Sequence, residues 1–178
     1  MLQLSVYLLV FELMSVHQLP QLFPELQACL LPLLAQNLCA DRVEYLEETL
    51  EVIRVFTYYT KPITEELWQM FPMLVTAWNE FGYDYFQEFL PCIRNYITEG
   101  TERFCCSEGP KEMVFKMCEK VLKQPDSTQQ HCGTVAQLME TVLIRCTGQA
   151  DELVAPFVGL VCTRLFQEGQ KIGSALRV

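Results

Sequence analysis

The chain has 178 residues, enough for one domain-sized core, with 51% hydrophobic and only 20% charged residues. A formal charge of −9 lacks the basic footprint that direct nucleic-acid binding requires, and it favours basic partners or simple solubility. Nine cysteines, an odd number at spacings that fit no disulfide framework, point to a reducing compartment.

Residues 1–20 open with an apolar run that Glu12 interrupts. The run lacks a basic leader and a small-residue cleavage site, and it is too short to span a bilayer. It reads as a partial leading helix, with no membrane insertion, in a chain that begins and ends inside a larger array. Pro24-Glu25 then suits the first turn of a helix to about Cys39. Asp41 followed by Glu44 resembles a capping box for a helix to about Tyr59. Thr64 with Glu65 and Glu66 caps the next, which carries Leu67, Met70, Phe71, Leu74, Trp78 and Phe81 at the 3.6-residue period.

Gly82 fits a C-terminal stop before a helix from Tyr83 to about Thr98. Residues 99–109 read as a loop, and Pro110 suits the first position of a helix to Lys123. Gln124-Pro125-Asp126-Ser127 is a turn, a helix follows to about Cys146, Gly148 closes it, and a last helix runs from about Ala150 to Glu168. Several of these helices contain a proline, at Pro32, Pro72, Pro91 and Pro156. Each costs about 3 kcal/mol in a helix interior, which burial of the apolar stripe outweighs.

Paired, the segments give 24–59, 64–98 and 110–146, with an unpaired helix from 150. First helices begin in steps of 40, 46 and 40 residues, the period of HEAT or armadillo repeats. Two helices per unit favour HEAT. The expected fold is therefore an all-α HEAT-repeat α-solenoid, a right-handed superhelix of about three and a half antiparallel pairs, forming a single array across 1–178. Neither end shows the polar outer face of a capping repeat.

Few residues suggest chemistry. Glu44, Glu47, Glu48 and Glu51 fall on one face of the second segment, opposite Val43, Leu46, Leu50 and Ile53. They read as a solvated face or as a contact for a basic protein segment. Cys105, Cys106, Cys118, His131 and Cys132 are the only cluster with metal or thiol possibilities. No C-x-x-C spacing is present, and adjacent cysteines chelate poorly. Trp68 and Val75 lie off the main stripe of their helix, either packing on a neighbouring repeat or lining an aromatic pocket. No P-loop, dinucleotide turn, nucleophile elbow or zinc-protease signature occurs, so no enzymatic activity and no cofactor are expected.

The order and spacing of several groups nevertheless resemble a known family. Trp68-Gln69, then Phe81-Gly82-Tyr83-Asp84-Tyr85-Phe86, Leu90-Pro91 and Asn95-Tyr96-Ile97-Thr98 are similar to the middle of importin-β-type nuclear transport receptors, in particular the importin-7 and importin-8 branch. Met117-Cys118, Lys120-Val121-Leu122, Ile144, Cys146 with Gly148, Phe157-Val158 and Arg164-Leu165 follow in the same order, and Tyr45-Leu46-Glu47-Glu48 resembles an upstream helix. The resemblance implies a non-covalent carrier of basic cargo proteins between cytoplasm and nucleus, including the nuclear envelope and its pores. It also implies contacts with Phe-Gly nucleoporins and control by the Ran GTPase, whose main contacts in the full-length receptors lie in N-terminal repeats.

On that reading Glu44, Glu47, Glu48 and Glu51 are candidates for cargo contact. Trp68 is the nameable residue for a hydrophobic cleft between adjacent first helices. The rival readings are a generic HEAT scaffold for another multiprotein complex and a thiol or metal enzyme at the cysteine cluster.

Overall fold

The computed structural model describes residues 23–106 and 108–175, and the leading segment expected over 1–20 lies outside them. Among the described residues are eight α-helices and no strand. The chain forms two compact units that meet between Phe104 and Cys105. The first contains α1 (Phe23–Asn37), α2 (Leu46–Tyr59), α3 (Glu65–Glu80), α4 (Phe86–Glu99) and most of the short α5 (Thr101–Cys106). The second contains α6 (Glu108–Lys123), α7 (Gln129–Arg145) and α8 (Asp151–Ala175).

In the first unit α1 packs on α2 and α3 on α4. Their short connections make each pair an antiparallel hairpin. Side-chain hydrogen bonds then set the hairpins in register. Cys92 of α4 donates to the Leu50 carbonyl of α2 at 2.9 Å, and Asn95 Nδ2 donates to the Arg54 carbonyl at 2.8 Å. Rising numbers on one helix meet rising numbers on the other, so the second helices lie parallel and side by side. Near the start of α1, Gln27 Nε2 donates to Thr60 Oγ1 at 2.7 Å and Gln27 Oε1 accepts from Thr64, which aligns α1 with α3 in the same sense. This is the all-α HEAT-repeat class that the spacing predicts.

The core of this unit is aromatic. Trp78, Phe86, Phe89, Tyr96, Phe71 and Phe104 are fully buried, each side chain contributing about 1.5–3 kcal/mol on burial. The buried Tyr96 hydroxyl is satisfied by the Leu67 carbonyl.

The second unit repeats the plan, with α6 packed on both α7 and α8. Lys111, near the start of α6, reaches the Gln149 carbonyl at 2.8 Å and Glu152 at 3.0 Å. Arg164 of α8 donates to the Gln124 carbonyl at 2.6 Å and the Ser127 carbonyl at 3.0 Å. These two ties make α6 and α8 parallel first helices. The turn at 124–127 forms as expected, closed by Ser127 N on the Gln124 carbonyl. Thr64 and Thr128 act as N-caps, accepting from Leu67 N and His131 N respectively. Gly148 takes φ +78°, as a helix stop requires.

Five local expectations are corrected. The box from Asp41 to Glu44 does not start a helix. Residues Ala40–Tyr45 form a 3₁₀ segment in which Arg42 is non-helical, at φ −129° and ψ 28°. Arg42 is drawn back to Asn37 Oδ1 at 2.9 Å, so the chain turns before α2 can begin. Gly82 is not a left-handed stop, since its φ is −91°; a Cβ there would stand 2.6 Å from the Phe89 ring. The stretch expected as a loop over 99–109 instead contains α5, Thr101–Cys106, and the start of α6 at Glu108. Thr101 Oγ1 donates to the Ile97 carbonyl at 2.6 Å, and α5 swings Phe104 into the core, edge-on to Phe71 at 6.3 Å between centroids. Pro110 accordingly stands third in α6 rather than first, and α8 extends past Glu168 to Ala175.

Pro32, Pro72, Pro91 and Pro156 all lie inside helices, and all four occupy exposed positions. A proline frees the carbonyl four residues earlier, on its own face of the helix. At an exposed position water takes that carbonyl, so the bend costs less than it would against the core.

Candidate peptide-binding cleft

Between the first helices α1 and α3 lies a cleft of about 510 Å³. On α1 it is lined by Ala28, Leu31, Pro32 and Ala35, with Phe23 and Pro24 at one end. The two alanines, seven residues apart on the face toward α3, leave the space unfilled. On α3 it is lined by Met70, Met73, Gln69 and Glu66. Met70 forms buried floor while Met73 is 38% exposed, so the site combines a buried base with an exposed apolar wall. Gln27, Thr60 and Thr64 close one end, and their hydrogen bonds to each other occupy the Gln27 amide. Size and an apolar lining with few polar groups suit a small ligand or a peptide side chain with its adjoining backbone.

Trp68 is not part of this cleft. It is 6% exposed, packed 5.1 Å from the Tyr96 ring and covered by the Arg103 guanidinium at 4.9 Å. Arg103 is held there by both oxygens of Glu65. Gly100 makes this packing possible, because a Cβ there would stand 2.5 Å from the Trp68 ring and 2.9 Å from the Tyr96 carbonyl. Val75 is buried too, at 6%. Trp68 is thus buried against its own hairpin, on Tyr96 of α4. The residues that do line the cleft were legible in principle, since Ala28, Leu31, Pro32 and Ala35 follow the i, i+3, i+4, i+7 spacing of one helix face.

Three of the four glutamates, Glu47, Glu48 and Glu51, lie on α2, and Glu44 lies in the 3₁₀ segment before it. Glu51 is engaged by Arg54, whose Nε donates to Oε2 at 2.6 Å, and Glu48 is half-buried. Glu44 and Glu47 remain exposed. Their expected opposites Leu46, Leu50 and Ile53 are buried, whereas Val43 is half-buried.

The cysteine cluster is dispersed as well. Cys105 and Cys118 are buried, Cys106 is exposed and Cys132 is half-buried. Burial pushes the Cys118 thiol up to about 12. Burial, with the Cys105 thiol beside it, does the same to Cys146. Neutral buried thiols of this kind are poor nucleophiles at neutral pH. Among the described residues no group of three or more His, Cys, Asp or Glu side chains is placed to hold a metal ion, and no described helix is long and apolar enough to cross a membrane.

With the hairpins and cleft in place, the comparisons with known proteins bear on what the segment is. A probable importin-7 homolog of Dictyostelium discoideum is 30% identical over 153 residues, covering 86% of this chain and 14% of that protein. An importin beta-like SAD2 homolog of Arabidopsis thaliana is 26% identical, covering 85% of this chain and 15% of its own length. The chain is similar to the importin-7 and importin-8 branch of the importin-β family. Mouse importin-8 agrees, at 27% identity over 82% of this importin-like chain and 14% of the mouse protein. The chain thus spans about one seventh of the length of the curated relatives it matches. No family model matches it, and no solved structure matches it.

Proposed function

We propose that this chain acts as a segment of a nuclear import receptor, one stretch of successive HEAT repeats along a longer array. It takes basic cargo proteins non-covalently, touches Phe-Gly nucleoporins during passage through the pore, and moves between cytoplasm and nucleus. Ran-GTP acts on the same receptor through other repeats. The observation that carries this reading is the likeness to importins of an amoeba, a plant and a mammal, each over more than four fifths of the chain. Two local features support it. The cleft between α1 and α3 offers an apolar seat for a phenylalanine, and exposed Glu44 and Glu47 offer carboxylates to a basic segment. Glu48 and Glu51 are weaker candidates, being half-buried and engaged by Arg54 respectively.

The test is fluorescence anisotropy of a labelled Lys/Arg-rich segment titrated with the full chain. Reversing Glu44 and Glu47 together to lysine is expected to weaken binding about three- to tenfold and to steepen nothing in its salt dependence. Binding that survives the double reversal unchanged would remove these residues from the cargo contact. A chain that binds neither the basic segment nor a Phe-Gly peptide would favour the generic scaffold.

A further inference from the structure

Among the described residues, no side-chain cation is paired with the carboxylate at the mouth of the α1–α3 cleft. Among the described residues Glu66 is the only ionisable one lining the cleft, and it is exposed. The neighbouring cations are committed elsewhere. Arg103 is bound to both oxygens of Glu65, and Lys61 is paired with Glu99 at 2.8 Å and lies over the Tyr58 ring. At the closed end the Gln27 amide is already bonded to Thr60 and Thr64, leaving the apolar walls, the exposed Gln69 amide and the rim carboxylate to meet a ligand, and of these only the carboxylate is charged. We infer that the cleft selects Phe-Gly segments flanked by Lys or Arg over those flanked by neutral or acidic residues, with Glu66 as the residue that reads the flank. This rests on the reading that the cleft takes Phe-Gly motifs, and it adds the chemistry of the accepted sequence.

The physical basis is charge complementarity at a partly open rim. Coulomb attraction there is modest per pair, but an acidic flank is disfavoured as much as a basic one is favoured. Phenylalanine supplies the anchor and its neighbours supply the preference.

The experiment uses the full chain and three peptides of one length, each with a single Phe-Gly, flanked by lysine, serine or aspartate. Affinities are measured by fluorescence anisotropy at low ionic strength for the unaltered chain and for Glu66→Gln and Glu66→Lys. The lysine-flanked peptide is expected to bind about two- to fivefold more tightly than the serine-flanked one, and the aspartate-flanked one more weakly. Glu66→Gln is expected to level the series and Glu66→Lys to invert it. Equal binding of all three peptides, or a lysine preference that survives Glu66→Gln, would overturn the charge selection while leaving the cleft as a Phe-Gly seat. Absence of binding by every peptide would overturn the Phe-Gly reading and this inference with it.

Discussion

Gly100 and Gly82 hold the first unit together by what they lack. Each faces an aromatic ring at a distance that forbids a side chain, Trp68 at Gly100 and Phe89 at Gly82. Gly100→Ala meets both the Trp68 ring and a backbone carbonyl, and is expected to cost about 1–3 kcal/mol in urea denaturation. Gly109→Ala, with nothing within 4 Å of the added carbon, is the control and is expected to be neutral or slightly stabilising. Equal effects at the two sites would refute the packing role. Gly82 was visible in the sequence only as a helix stop and Gly100 only as part of an expected loop, because the reason for them lies in side chains at distant positions. The same holds for Trp68, whose off-stripe placement fitted both packing and a pocket until Arg103 and Tyr96 were located around it.

Buried thiols make a second statement at this scale. Burial raises Cys92 strongly and pushes Cys118 and Cys146 up to about 12, from an ordinary value of 9.0. The folded chain therefore holds these protons more tightly than the unfolded chain does. Their stabilising contribution is complete below the unfolded pKa of about 9 and is lost as pH rises toward the folded values. The urea midpoint is expected to fall steadily above about pH 9. A midpoint that stays level into that range would mean the thiols are not shielded as described.

Among the helices, what could be read in advance was what depends on neighbours in sequence. Thr64 and Thr128 cap their helices and Gly148 stops one, because a hydroxyl three residues from a free amide or a positive φ is a local matter. The delayed start of α2 and the existence of α5 were not readable that way. The first follows from Arg42 reaching back to Asn37, and the second from Phe104 finding a place against Phe71. The prolines fall between these cases: their presence in helices was legible, but their common position on exposed faces was not.

Helix α8 offers the clearest test of a long-range tie. Arg164 is buried and donates to two carbonyls of the 124–127 turn. Lysine keeps the charge but cannot span both acceptors. Arg164→Lys is expected to speed amide exchange in α8 about tenfold or more while leaving the α3–α4 hairpin unchanged. Equal acceleration in both would show that the substitution lowers stability generally instead of loosening one helix.

At the scale of the chain, two compact units each repeat the same plan of first helices side by side. Repeats of this kind contact only sequence neighbours, which leaves clefts such as that between α1 and α3 along the row of first helices. One wall of the cleft was legible as the helix face of Ala28, Leu31, Pro32 and Ala35, whereas its pairing with Met70 and Met73 was not, since that depends on how α1 and α3 align. α8 also keeps Val154, Val158, Leu165 and Phe166 exposed.

The most direct measurement is methyl and indole NMR of the full chain titrated with an unlabelled Phe-Gly peptide. Saturable shifts at the Met70 and Met73 methyls, with the Trp68 indole N–H unmoved, are the predicted result. Shifts centred on Trp68, or none at the two methionines at peptide concentrations that saturate binding, would contradict the account.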